Sequence, residues 1–438
     1  MEGRRILTPK PLSIVYYGNV CPALSIFTNS PSEVTLSKKR NKNTMLDSYE
    51  IKPYTQVGRI PTDRTDNRYP LAMVLPVVGM NEYFVKKVLG RHEDLTEDMV
   101  VELLEQDAFS ETFAPRSKVL QYLRKEHLRM SQKKTDSSII EINKLYRGDA
   151  IPLIDQLEDQ SIQCVVTSTP YWAMRIYDEF LVKEWADGEI CTFGLEQTPE
   201  GFIRHSVETL YHLQKKLTPT GSIWWNIMDS YNTRTQIRGS AAEALYAMKG
   251  RDKKTWKDHK YKRYSAGHSY LQDGEQCLIP QRIAERASRM VFYVKSMITW
   301  SKTASMPEPQ QSRVSRNVEY VLHLSIQRTL LFNKQAYLTL PSELGGKQAF
   351  ESEKLSDFWH LPTSAGGNGH GAQFPLQLPG RCIALSTNEK DIVLDPFMGG
   401  GTTAIATVML NRNYIGFDIS DKYIQLANKS IDDSTINV

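Results

Sequence analysis

Asp391-Ile392-Val393-Leu394-Asp395-Pro396-Phe397-Met398-Gly399-Gly400-Gly401-Thr402-Thr403 decides how this chain is read. A short apolar run stops at an acid, three glycines follow, and an Ala-rich, helix-favouring segment begins. That order predicts strand, tight turn and helix N-terminus. Glycines let the backbone approach a ligand closely, and the free N–H groups of a helix start favour a carboxylate or phosphate. No Lys follows the last Gly, which excludes the nucleoside-triphosphate P-loop with its Gly-Lys-Ser/Thr. A second apolar run, Tyr414-Ile415-Gly416-Phe417-Asp418, ends in another carboxylate. An acid at the tip of the second strand of an α/β nucleotide fold, about twenty residues after the first, can accept both ribose hydroxyl hydrogens. The same residues also suit an ordinary strand-turn-helix with two solvated acids, but the second acid at that distance weighs against it.

Upstream, Leu145-Tyr146-Arg147-Gly148-Asp149-Ala150 reads as a strand end and an acidic turn that opens the main domain. Then Ser161-Ile162-Gln163-Cys164-Val165-Val166-Thr167 carries an apolar β-branched run into Ser168, Thr169, Pro170, Tyr171 and Trp172. Open α/β sheets place their ligands at the carboxyl ends of strands, where these residues are delivered. Taken alone, Tyr171 and Trp172 would more readily be core aromatics near a strand end. Beside the glycine turn they become candidates for a binding wall.

Ser168-Thr169-Pro170-Tyr171 resembles the Ser-Pro-Pro-Tyr motif of amino-group DNA methyltransferases, and Asp395-Pro396-Phe397-Met398-Gly399-Gly400-Gly401-Thr402-Thr403 resembles their S-adenosylmethionine motif. The catalytic motif precedes the cofactor motif, which looks like the permuted, β-class order of bacterial restriction-modification enzymes. Gly194-Leu195-Glu196, Gly221 to Asp229, Trp300-Ser301-Lys302, Arg316 to Tyr320 and His370 to Pro375 agree with that order, so the resemblance covers about residues 143 to 430. It implies an α/β, Rossmann-like methyltransferase fold with permuted motifs. The departure that matters most is Thr169, where the family has its first proline. Thr supplies a backbone carbonyl as Pro does but lacks its fixed φ, so a less rigid loop and a modest effect on rate are expected.

An exocyclic base amine is a poor nucleophile because its lone pair is delocalised into the ring. Ser168 Oγ and the Thr169 carbonyl can accept its two hydrogens and hold nitrogen in line with a sulfonium methyl; placement alone supplies several kcal/mol of such a barrier. Tyr171, with Pro170 fixing the loop, would stack on the base, and Trp172 would extend that wall against DNA. A base inside a duplex must be extruded to reach such a pocket. In the family, Ser at the first motif position goes with N4 of cytosine, Asp or Asn with N6 of adenine. Carbon-5 methylation needs a cysteine nucleophile, typically in a Pro-Cys pair, and no Pro-Cys occurs here.

The resemblance also implies S-adenosyl-L-methionine as cofactor. Asp395 and the turn Pro396, Phe397, Gly399 and Gly401 would surround its methionine part, and Thr402 or Thr403 would bond its carboxylate. Asp418 would hold the ribose, Asp149 would contact the adenine amine, and Phe374 with Pro375 would close the pocket. Plain core packing is the competing reading for these residues.

The remaining chain sets the frame. Its 438 residues and 40% apolar content suit two or three globular domains. A net charge of only +4 confines any nucleic-acid signal to local patches. Five scattered cysteines give neither zinc spacing nor a disulfide framework. No apolar segment approaches a membrane span and no signal peptide is legible, so a cytoplasmic protein is the default. We read residues 1–70 as a partly irregular N-terminal arm, 71–135 as a helical region and 136–438 as the catalytic domain. Within the last, 235–277 forms a basic insertion whose Lys253, Lys254, Lys257, Lys260, Lys262 and Arg263 interleave with aromatics, a pattern that suits phosphate tracking and stacking, although most charge runs are solvated faces. Residues 325–369 are the candidate target-recognition segment; being short, they could share that task with the N-terminal helical region. The partners expected are double-stranded DNA and a restriction endonuclease acting on the same site. An adenine-N6 enzyme, or a non-catalytic nucleic-acid-binding module that kept the fold, are the alternatives.

Overall fold

A computed structural model describes residues 68–78, 82–105, 140–172, 181–232, 274–303, 311–364 and 373–436, with a few single positions between them. They belong to a unit that runs from Arg64 to Val438; residues 1–63 lie outside the described residues. Among the described residues no helix is long and apolar enough to cross a membrane.

In chain order the strands are β1 (Arg68–Pro70), β2 (Asp94–Thr96), β3 (Lys144–Arg147), β4 (Ile162–Ser168), β5 (Lys183–Glu184), β6 (Ile190–Cys191), β7 (Leu217–Ile227), β8 (Tyr293–Lys302), β9 (Val318–Ser325), β10 (Phe358–Leu361), β11 (Ile392–Asp395) and β12 (Asn413–Asp418). Eight of them form one sheet in the order β10-β8-β9-β7-β4-β11-β12-β3, parallel except for β9. The fold is therefore α/β and Rossmann-like, and the strand carrying Ser168 lies directly beside the strand that feeds the glycine turn.

β4 is buried along nearly its whole length because helices cover both faces of the sheet. Its side chains alternate: Val165 joins a core with Phe202, Leu210, Ile223 and Ile283, whereas Cys164 and Val166 join another with Trp224, Trp359, Leu378 and Ile383. The helix Pro199–Gln214 that covers the first face starts where Thr198 accepts from Gly201 N at 3.1 Å, with Pro at its first turn.

β1 pairs antiparallel with β2, so Arg68–Pro70 belongs with the helical region and not with the arm. Helices Leu71–Val78, Glu82–Leu89 and Glu97–Glu105 follow, the last capped by Thr96 Oγ1, which accepts from Met99 N at 3.4 Å. Tyr69, Val74, Leu103 and Leu123 are continuous with the core that contains Val165 and Phe202, which makes this region part of the same folded body. The candidate recognition segment is also built in. Its β10 is the sheet edge, and fully buried Arg381 grips Glu351 at 2.8 and 3.0 Å and the Gly346 carbonyl at 3.3 Å.

Candidate active site

The carboxyl ends of β7, β4, β11, β12 and β3 lie in sheet order, and each delivers a polar group. From one side to the other these are Asn226, Ser168, Asp395, Asp418 and Asp149. β9 runs the other way, so its first residues, among them Glu319, reach the same edge. Topology thus brings together residues as far apart in the chain as Thr167 and Asp395, 228 positions distant.

The glycine turn is organised by Asp395, which is buried at the end of β11. Its Oδ1 accepts from Thr167 Oγ1 at 2.6 Å and from Phe397 N at 3.0 Å, and its Oδ2 from Thr403 Oγ1 at 2.6 Å. Burial pushes its pKa up to about 6 against those hydrogen bonds. Asp395 and Thr403 are therefore spent inside the protein, tying β4, the turn and the helix Thr402–Met409 together. Of the two threonines expected to meet a carboxylate, Thr402 is partly exposed and Thr403 is buried; among the other turn residues Phe397 and Gly399 are partly exposed, while Pro396 is buried.

Gly401 has φ +91°, and a Cβ there would stand 3.0 Å from Ala427. Only glycine takes that turn without strain. Gln373, not singled out in the sequence, lays its amide where a Cβ on Gly400 would be. Asp418 accepts from Gly399 N and Ser420 N, each at 2.9 Å, and burial raises its pKa. A carboxylate offers about four lone-pair positions, and the Ile419 backbone N–H also bonds it, so one remains for a ligand. Asp149 is otherwise engaged: both its oxygens meet Lys183 Nζ, at 2.9 and 3.0 Å, and Lys183 in turn lies 3.8 Å from the Trp185 ring. Phe374 and Pro375 are buried, Phe374 within the core cluster of Trp224 and Leu378.

On the other half of the edge, Ser168 and half-buried Tyr171 meet a polar network that sequence reasoning did not assemble. Asn226 Nδ2 lies 3.3 Å from Ser168 Oγ, 2.8 Å from Tyr171 Oη and 2.7 Å from Glu319 Oε2. Tyr171 also donates to Glu319, whose second oxygen pairs with Lys302 Nζ at 3.1 Å. Asn226 and Glu319 are each a polar residue inside an apolar strand; that oddity was the available signal. Thr169 is buried, and its Oγ1 has no hydrogen-bond partner.

Trp172 is corrected outright. It is 2% exposed and donates to the Glu196 carbonyl at 3.0 Å, so it is a core residue and no DNA contact. Behind it sits a charged cluster. His205, fully buried and stacked on Trp185 at 4.0 Å, meets Glu196 at 3.0 Å and Asp187 at 3.3 Å. Burial disfavours its cation, but the two carboxylates outweigh it and push its pKa up to about 9. Glu189, Cys191 and His205 bring ligand atoms within 4.8 Å of one another, yet the His205 cation and Arg204 already supply the positive charge there.

Lys253, Lys254, Lys257, Lys260, Lys262 and Arg263 lie outside the described residues. The base of their insertion is described and is pinned at the site edge. Asn232 N bonds Glu275 O at 2.7 Å, Cys277 N bonds Ser230 O at 2.9 Å, and Asp229 caps the helix Ile279–Met290 through Ile279 N at 2.9 Å. Arg313 and Arg316 stack over Tyr231 at that base.

Comparison with known proteins gives a consistent result. Residues 162–429 match the family model described as DNA methylase. The type II methyltransferase M.XycI of Xanthomonas campestris pv. cyanopsidis is 30% identical over 325 residues, covering 74% of this chain and 96% of its own length. M.Cfr9I of Citrobacter freundii is 29% identical over 304 residues, 69% of this chain and 92% of its own. Among solved structures, a PvuII DNA methyltransferase (cytosine-N4-specific) has a TM-score of 0.46 at 18% identity, covering 70% of this chain and 95% of that one. A putative DNA modification methylase from Thermus thermophilus, complexed with S-adenosyl-L-methionine, has a TM-score of 0.44 at 21% identity, covering 66% and 93%.

Proposed function

This chain belongs to the DNA methylase family, and on that premise we propose that it is a site-specific DNA methyltransferase acting on the exocyclic N4 amine of cytosine, as the modification half of a restriction-modification system. The observation that supports it best is the adjacency of Ser168-Thr169-Pro170-Tyr171, at the end of β4, to the glycine turn at the end of β11, with Thr167 and Asp395 hydrogen-bonded across the join.

S-adenosylmethionine, when bound, supplies a methyl group activated by a sulfonium. Its two ends fit the donor set found here. Asp418 keeps a lone pair at the tip of β12 for a ribose hydroxyl, and Gly401 keeps the turn free of a side chain at the helix start, where a carboxylate is favoured. The chain's own residues do the rest. Ser168 Oγ and the Thr169 carbonyl accept the two amine hydrogens, which localises the nitrogen lone pair and aims it. Tyr171 presents its ring to the extruded base, offsetting an unstacking cost of a few kcal/mol.

Ser at the head of the motif supports cytosine N4 over adenine N6, and the absence of any Pro-Cys pair weighs against carbon 5. Double-stranded DNA is the substrate in this reading. The basic insertion, rooted at Asn232 and Glu275, would track its backbone, with Arg313 and Arg316 adding charge at the root. An endonuclease cutting the same site would be the partner.

Methyl transfer from radiolabelled S-adenosylmethionine to unmethylated genomic DNA, followed by digestion and separation of nucleosides, tests the assignment. The label is expected in N4-methylcytosine. Label in N6-methyladenine would overturn the base assignment, and no label would overturn the activity.

A further inference from the structure

Three oxygen atoms form an unbroken line from the pocket into the sheet. Ser168 Oγ lies 3.1 Å from Tyr171 Oη, and Tyr171 Oη hydrogen-bonds Glu319 Oε2. The direction of this line is set from its inner end. Glu319, paired with Lys302, acts as an acceptor, so the phenol donates to it. With the phenol proton committed inward, the Ser168–Tyr171 contact closes only if Ser168 donates to Tyr171. Ser168 Oγ then faces the pocket as an acceptor, which is what an amine hydrogen needs.

Asn226 reinforces that polarity. Its Nδ2 can only donate, and it touches all three oxygens. Turned over, the amide would set its carbonyl 2.7 Å from the Glu319 carboxylate, a repulsive contact between two acceptors. The present orientation leaves Asn226 Oδ1 buried without a hydrogen-bond partner, the mark of a side chain oriented by a stronger neighbour.

We propose that Glu319 is a positioning residue for methyl transfer: it polarises the Tyr171–Ser168 hydroxyl chain so that Ser168 accepts from the target amine, and it takes up the proton at the chain's far end. This rests on reading the site as that of a DNA amino-methyltransferase with a sulfonium methyl donor. As the nitrogen lone pair forms its bond to the methyl carbon, the methyl–sulfur bond breaks and its electron pair leaves with sulfur; the electron pair of the departing N–H bond returns to nitrogen and the proton passes to Ser168 Oγ. The Ser168 proton moves to Tyr171 Oη, and the phenolic proton moves to Glu319 Oε2. Nitrogen ends neutral, both hydroxyls are restored, and the carboxylate becomes a carboxylic acid that later loses its proton to water.

The test compares wild type, Glu319→Gln, Tyr171→Phe and the double variant on unmethylated plasmid DNA that the wild type methylates. Single-turnover transfer, DNA affinity and S-adenosylmethionine affinity are measured for each. Gln keeps the size and an acceptor oxygen but cannot take the proton; Phe keeps the ring and removes the hydroxyl. The expected result is a loss of about a hundredfold in transfer rate for each single variant, the lower end of acid–base contributions. Both affinities of Glu319→Gln stay within about twofold, and the double variant is no slower than the singles because both break one chain. Glu319→Gln at the wild-type rate overturns the proposal. So does a double variant as slow as the product of the singles, or a Glu319→Gln defect wholly in DNA or cofactor affinity. Failure of the underlying activity is distinguished by the wild type itself, which would then transfer no methyl group.

Discussion

Thr169 is the residue at which this chain leaves the family pattern, and the structure gives the departure a measurable cost. Its backbone N–H donates to the Asn226 carbonyl at 3.4 Å, a bond that proline could not make. Its hydroxyl is buried and unpaired. A buried hydroxyl without a hydrogen bond costs about 1–3 kcal/mol, whereas Val has nearly the same shape and no such group. Thr169→Val is expected to raise unfolding stability by about 1 kcal/mol in urea titration. Lower stability in the variant would mean that the hydroxyl is bonded in the folded protein. Residue identities at this edge were legible in the sequence where a motif carried them, as for Ser168 and Asp418. Glu319 and Lys302 were not, because Glu319 takes its meaning from a hydrogen bond to Tyr171 across 148 positions of chain and Lys302 from its pairing with Glu319. Trp172 was misread for the opposite reason: an aromatic next to a catalytic motif looks the same in sequence whether it turns to the pocket or, as here, to the Glu196 carbonyl.

At the level of elements, strand, turn and helix from Ile392 to Met409 follow the residue pattern directly, since β-branched residues, three glycines and an Ala-rich segment each have one good local conformation. What the pattern could not tell is that Asp395 serves the turn from within, holding Thr167 of the neighbouring strand. The turn depends on Gly401 in the left-handed region with Ala427 against it. Gly401→Ala is expected to cost roughly 1–3 kcal/mol of stability and to weaken S-adenosylmethionine binding, checked by urea unfolding and equilibrium dialysis. Unchanged values for both would show that the turn adapts and that its glycine is incidental. The candidate recognition segment illustrates the other limit. Its shortness was visible, but its anchoring through β10 and through Arg381 on Glu351 depends on strands and helices far away in sequence.

For the whole molecule, one sheet, parallel except for β9, aligns Ser168 and the glycine turn at the β4–β11 join, and the helical region around Tyr69 and Leu103 shares its core. The charged cluster beneath Trp172 makes that body sensitive to alkali. His205 has a folded pKa of about 9 against an ordinary 6.5, so the folded state holds this proton more tightly than the unfolded chain. A pKa raised on folding gives stability that is complete below the unfolded value and lost as pH rises through the folded one. The urea midpoint should therefore decline between pH 6.5 and about 9, and His205→Gln should remove much of that slope. An identical slope in the variant would place the titration elsewhere. The central claim is that Ser168, at the β4–β11 join, acts on the methyl-accepting amine. Single-turnover methyl transfer by Ser168→Ala, with cofactor and DNA binding measured alongside, tests it most directly. The account predicts a loss of at least about a hundredfold in rate with both affinities kept; transfer near the wild-type rate would contradict it.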